Sequence, residues 1–250
     1  MRIWWALFKK EWLLGGARLV PLLEVIVMIL TIFAAIRWGN KDIAVTIGGL
    51  LVGMHLFYLV AFLLANTTAE RRTFHLWLHN PQPGWKMLAA KLAAGIVSMI
   101  PSFFLAGIFT WISMLVANTF RTIPAHFPIY QVSAAVTLYI FWEALSLGIA
   151  FLFLWVLYRC LRSRIGKWVW LVMLGIIIGL PYLFVSLAEK KVFASLTHWG
   201  KIVLLNEHYG HNHSSIYLSF YAGSTVGEVL LMIAFFMLSA FLVDHYMEAS

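Results

Sequence analysis

Three carboxylates fall within or beside long apolar stretches of the chain: Glu24, Glu143 and Glu228. An ionised side chain at mid-bilayer costs at least ~2.5–3.5 kcal/mol on insertion scales, so each needs a partner or a water-filled cavity. Glu24 and Glu228 lie near the ends of their stretches, where an acid can reach headgroups or cap a helix. Glu143, inside YIFWEALSLG, is deeper and is the acid placed to face a substrate pathway or a subunit interface. Histidines offer a second chemistry. His75 and His79 have the i,i+4 spacing of a metal pair, but no glutamate follows His75 as a zinc protease requires, which favours surface or interface histidines. His208, His211 and His213 are denser and could hold zinc or copper, although no fourth ligand stands at an evident spacing. The chain contains no G-x-x-x-x-G-K-[ST] loop to cradle ATP phosphates and no G-x-S-x-G nucleophile turn, so the residues give no ground for reading it as an enzyme, and it carries no cofactor of its own.

These residues are set in a membrane composition. Of 250 residues, 62% are apolar and 11% charged, and a chain that must satisfy its backbone inside lipid does so as helices or as a closed barrel. The long unbroken apolar runs exclude a barrel, whose strands would alternate over short segments. The net charge of +8 reflects cytoplasmic loops rather than nucleic-acid binding. A single cysteine, Cys160, rules out an internal disulfide and a cysteine metal cluster; beside basic residues, it is either an inert thiol or a palmitoylation site. No removable signal peptide is visible, because Lys9-Lys10-Glu11 interrupts the first apolar run.

The expected architecture is an all-α membrane protein forming a single domain over residues 1–250. Residues 1–18 are too short and charged to span; Trp4, Trp5, Phe8 and Trp12 beside Lys9 and Lys10 describe an amphipathic helix in the headgroup layer. Six transmembrane helices follow, at about 19–36, 43–64, 92–116, 132–158, 168–187 and 225–243, each near the ~20 residues that cross ~30 Å of hydrocarbon. Pro101 should kink the third. Residues 66–86 form a loop on the amino-terminal side, and 188–223 a long segment on the other. Basic residues number four in 1–18, four in 65–91 and four in 159–167, twelve in all, against six on the opposite side. The positive-inside rule therefore places both termini and the 66–86 loop in the cytoplasm. Gly49-x-x-x-Gly53 and Gly175-x-x-x-Gly179 have the small-residue spacing that lets helices approach closely.

The 66–86 loop is the most informative polar stretch. Thr67 and Glu70 have capping-box spacing, which predicts a short helix after them, ended by Asn80-Pro81. On it Phe74, Trp77 and Leu78 fall on one side, and Arg71, His75 and His79 on another.

An interfacial amino-terminal helix, six spans, a helical loop between spans two and three, and a long outer segment between spans five and six together resemble the permease subunits of export-type ABC transporters, the ABC-two superfamily. The similarity is sharpest at Glu70-Arg71-Arg72-Thr73, Leu76-Trp77-Leu78, Pro81 and Lys91. The resemblance implies that the loop is a coupling helix docking on a separate ATPase, with Glu70, Arg71, Arg72, His75 and Trp77 as contact residues and a second contact at Lys9, Lys10 and Glu11 to Trp12. It also implies two ATPase copies holding ATP and magnesium, and a second permease chain, identical or related. The implied activity is export of a hydrophobic or amphipathic substrate across a bacterial cell membrane: a peptide of antimicrobial or toxin-like kind, or a lipid or drug. Two other readings stand beside it: an ion-coupled carrier using Glu143, and a non-transporting immunity or sensor protein.

Overall fold

A computed structural model of the chain describes residues 2–14, 19–70, 82–121, 127–188, 197–209 and 214–246. Its elements are α1 (Arg2–Leu14), α2 (Leu19–Trp38), α3 (Asp42–Met54), a 3-10 turn (His55–Phe57), α4 (Tyr58–Ala69), α5 (Gly84–Val116), α6 (Ile129–Ile165), α7 (Val169–Ala188), strands β1 (Lys201–Tyr209) and β2 (Ser214–Tyr221), and α8 (Ala222–Tyr246). The chain is thus predominantly helical, and its one sheet among the described residues is a two-stranded antiparallel hairpin that pairs Lys201 with Tyr221 and Tyr209 with Ser214.

Among the described residues, five stretches are long and apolar enough to cross a membrane: Val20–Trp38, Asp42–Ala69, Gly84–Val116, Ile129–Leu180 and Ala222–Tyr246. The chain is a membrane protein by this criterion. The fourth stretch has 52 residues, ~78 Å if it were one straight helix. It is broken at Gly166, whose φ of 57° is the left-handed conformation that ends helices and suits glycine. Across that break the rings of Tyr158 and Trp170 lie 5.6 Å apart, where a continuous helix would separate these positions by ~18 Å. The chain therefore turns back on itself at Gly166.

The chain divides into two compact units, residues 1–152 and 153–250. In the first, α5 is the central element and α1, α2, α3 and α4 pack on it. Lipid offers no hydrophobic reward for helix association, so close backbone approach and polar contacts decide the packing. The close approaches fall at Gly48, Gly95 and Gly148: a methyl on Gly48 would meet Thr110, and one on Gly95 or Gly148 would collide with Leu59, which is fully buried beside both. Gly49, Gly53, Gly175 and Gly179 instead have open space around them. Among the described residues, neither i,i+4 glycine pair therefore provides a close approach to another helix of this chain.

In the second unit, Phe153 stacks on Phe235 with centroids 4.8 Å apart, Cys160 Sγ approaches Leu242 O at 3.9 Å, and Arg164 lies 5.0 Å over the Tyr246 ring. Each pair has the same sequence offset, so the end of α6 and α8 run parallel. Cys160 is a buried free thiol, which favours the inert reading over palmitoylation.

Candidate functional site

Two polar clusters are built on the seam between α4 and α5, which run antiparallel. Asn66 faces Lys91, Tyr58 faces Ser98 and His55 faces Ser102, so the residue numbers rise on one side as they fall on the other. From Asn66 back to His55 is eleven residues, as it is from Lys91 on to Ser102. Eleven residues are about three helical turns, so both clusters share one face, ~16 Å apart along the axis. Between them the seam is apolar, filled by Leu59, Phe62, Leu63, Leu92 and Met99.

The first cluster is centred on Lys91, whose side chain is wholly buried. Its Nζ donates to Glu11 Oε2 at 2.6 Å, Asn66 Oδ1 at 2.6 Å and Glu70 Oε2 at 2.5 Å, using all three ammonium donors. Asn66 Nδ2 donates to Glu11 Oε2 at 2.9 Å and to the Glu11 carbonyl at 3.0 Å. Lys10, partly exposed, closes the network from outside, 2.8 Å from Glu70 Oε1 and 3.4 Å from Glu11 Oε1. Two acids and two lysines balance, and the three deepest members, Glu11, Asn66 and Lys91, have no exposed surface. Burial pushes the Glu70 carboxyl upward, but Lys91 and Lys10 overcome it and hold the group below the usual carboxylate range. Lys10 also loses hydration, yet its bonds to Glu70 and Glu11 hold it above the ordinary lysine value.

This cluster ties together three segments distant in sequence. On α1, Leu7, Phe8 and Glu11 form the buried face, while Trp5, Trp12 and Leu13 are exposed, as expected of an amphipathic helix lying at an interface. The capping-box expectation is corrected: Thr67 lies in the last turn of α4, its Oγ1 donating to Leu64 O at 3.1 Å, and Glu70 is the C-cap of that helix. The carboxylate turns to Lys91 and Lys10 instead of reaching back to a helix start. Lys91 likewise sits in the second turn of a helix that begins at Gly84 after Pro83, where extended geometry precedes the first turn.

The second cluster joins Glu24 of α2, His55 and Ser102. His55 Nδ1 lies 2.8 Å from Leu51 O, a carbonyl that can only accept, so Nδ1 carries a proton. Nε2 then faces Glu24 Oε1 at 3.2 Å and Ser102 Oγ at 3.2 Å, while Ser102 Oγ donates to Glu24 Oε2 at 2.7 Å. A carboxylate oxygen and an unprotonated nitrogen would repel at that distance, so one further proton lies between them, on either atom. Tyr58 stands beside the pair, its hydroxyl 3.0 Å from Ser98 O and 2.9 Å from Ser98 Oγ. His55 stacks on Tyr58 and meets Phe103 edge-on, with centroids 5.6 and 5.3 Å away. The 3-10 turn at His55–Phe57 interrupts the long apolar stretch near its middle, a break of the kind found at functional hinges. Glu24, His55 and Tyr58 are also among the residues lining an otherwise apolar groove of about 230 Å³ between α2 and the α3–α4 helix.

The structure places the remaining sequence-selected residues apart. Lys9 is exposed on α1, and Glu143 is half-buried on α6 without a hydrogen-bond or ion-pair partner among the described residues. Glu228 is exposed on α8. Arg71, Arg72, His75, Trp77 and His79 lie outside the described residues, as do His211 and His213; of His208 only the backbone, in β1, is described. Sequence reasoning missed His55, Ser102 and Asn66. Their signal was present: a histidine at the centre of a 28-residue apolar stretch, and two polar pairs at matched eleven-residue intervals. Comparison with protein-family models, with curated proteins and with solved structures finds no match to this chain.

Proposed function

We propose that this chain is the membrane-spanning subunit of an ATP-driven exporter, energised by a separate ATPase that grips the 71–81 segment and α1. The observation that carries this reading is the Lys91 cluster. It fastens α1, the end of α4 from which that segment departs, and the start of α5 to one buried ammonium. A push on the segment is thereby passed to two long helices and to α1 together, as a lever requires. Glu70, Glu11 and Lys10 act in this reading as the fastening beside the docking segment, with Arg71, Arg72, His75, Trp77 and Lys9 as the contacts to the ATPase.

The parallel course of α6 and α8 supports two passes in the Ile129–Leu180 stretch, because a return through α7 must lie between two helices that run the same way. Six passes result, with both termini on the cytoplasmic side by the count of basic residues. The assembly is a dimer of permeases, identical or related, with two ATPases that hold ATP and magnesium, in a bacterial cell membrane. The substrate is hydrophobic or amphipathic, an antimicrobial-type peptide fitting best with the apolar, aromatic spans.

The test is ATP hydrolysis. The chain is co-expressed with the ATPase encoded nearest to it, reconstituted in nanodiscs, and compared with the ATPase alone. Hydrolysis that depends on the chain, and falls when Arg71→Ala and Arg72→Ala are introduced together, is the expected result. Hydrolysis indifferent to the chain would contradict the reading and favour a carrier or a sensor that acts without ATP.

A further inference from the structure

We infer that the Glu24–His55–Ser102 cluster is a binding site for an organic ammonium ion, the charged head of an amphipathic ligand whose apolar part lies in the adjoining groove, and that this cation binds by displacing the shared proton. The inference deepens the exporter reading by naming the substrate's chemistry, and rests on it only for the ligand's being transported.

Charge and geometry carry the argument. The pair holds one proton between Glu24 Oε1 and His55 Nε2, so it is neutral whichever atom bears it, and a neutral pair is the form that low-dielectric surroundings favour. Loss of that proton leaves a carboxylate beside a neutral imidazole, a net charge of −1 that needs a cation. The titratable groups facing Glu24 among the described residues are His55 from the 3-10 turn and Tyr58 from α4; α5 contributes the hydroxyl of Ser102. No lysine or arginine among the described residues reaches the pair. The site is therefore unlike the Lys91 cluster, where fixed cations already balance every acid.

The acceptor set selects the kind of cation. Glu24 has two oxygens with lone pairs beyond those used by His55 and Ser102, and its side chain retains 9% exposure. A small metal ion would need several more oxygens than these. An ammonium needs two or three acceptors, and its hydrocarbon can rest on Leu23, Val27, Leu51, Met54 and Phe57, which wall the groove. The exchange balances as one R–NH₃⁺ bound and one H⁺ released. Below the pair's own pKa, affinity should therefore rise about tenfold for each unit of pH.

The experiment uses the full chain in nanodiscs without any ATPase, with dodecylammonium as probe, dodecanol as uncharged control and empty nanodiscs as blank. Saturable binding by equilibrium dialysis and proton release in weakly buffered medium are measured together. The expected result is close to one proton released per dodecylammonium bound, binding at least tenfold weaker in Glu24→Gln, and no difference between wild type and variant for dodecanol. Glu24→Gln keeps the side chain's size and its hydrogen bond with Ser102, so a correctly folded variant is the control for structure, checked by its unfolding temperature. His55→Gln should still bind and release a proton, now from Glu24 alone, with a displaced pH profile. Equal binding by wild type and Glu24→Gln, equal saturable binding of dodecanol, or binding without proton release would each overturn the inference. None of these outcomes touches the ATPase test, so the two readings fail separately.

Discussion

The two polar clusters on the α4–α5 seam have the same ingredients, buried acids beside basic nitrogens, and opposite designs. The Lys91 cluster balances two carboxylates against two lysines and spends all three ammonium hydrogens of Lys91. The Glu24 cluster sets one carboxylate against one histidine, the side chain whose ordinary pKa lies near neutrality, and opens on a groove. A sealed, fully paired network fixes the relative positions of three segments. A pair that holds one movable proton beside an apolar opening is suited to exchange. Burial of charge is therefore not by itself a sign of a ligand site; what matters is whether the charges are complete without a ligand.

The largest effect is expected at Lys91. Lys91→Met leaves Glu11 and Glu70 without their buried cation and with only the partly exposed Lys10 beside them, a loss of about 3–5 kcal/mol by the general behaviour of broken buried ion pairs. Thermal unfolding in detergent should show it as a large drop in midpoint. Adding Glu11→Gln and Glu70→Gln to Lys91→Met should recover much of the loss, since removing the three buried charges together is far less costly and the remaining Lys10 is partly exposed. No recovery would mean that the network does more than balance charge.

A smaller, graded effect is expected in acid. Glu70 is held below the usual carboxylate range, so its contribution is present above the ordinary carboxylate pKa of about 4.3 and is lost as pH falls through the depressed folded value. Lys10 is raised, so its contribution is present below the ordinary lysine value and is lost only as pH rises through the raised one. Between those limits α1 should stay docked. Trp4, Trp5 and Trp12 make it readable by tryptophan fluorescence, which should shift below the carboxylate range and not between neutral and mildly alkaline pH.

The smallest effect on stability is expected at Glu24→Gln, about 1 kcal/mol or less, because the amide retains hydrogen bonding to Ser102 and no charge is left unpaired. A loss as large as that of Lys91→Met would erase the contrast between the clusters.

How much of this was legible in the sequence follows from which residues act locally. The apolar runs, the amphipathic character of residues 2–14 and the reversal in the basic stretch 159–167 could be read directly, because each depends on near neighbours in sequence. The capping role of Thr67 was misread, because the apolar second span carries its helix on through Ala69 and local spacing could not reveal that. Lys91 could be noticed only as a lysine near the start of a span; its partners are 21 and 80 positions away, and only the fold brings them together. Glu24 was read as a headgroup acid from its place in α2, whereas its burial comes from His55 and Ser102, 31 and 78 residues on. The contact glycines were likewise hidden, since Gly95 and Gly148 are isolated in sequence and meet only through Leu59.

The central claim, that a separate ATPase works on this chain through the end of α4, is tested most directly by co-purification. The chain, tagged, is expressed with the ATPase encoded nearest to it, and subunit stoichiometry is determined for the wild type and for a chain carrying Arg71→Ala, Arg72→Ala and Trp77→Ala. A complex of two permeases with two ATPases that falls apart with the triple substitution, while the chain itself stays folded, is the predicted result. A chain that purifies without any ATPase, or a complex unaffected by those substitutions, would contradict it.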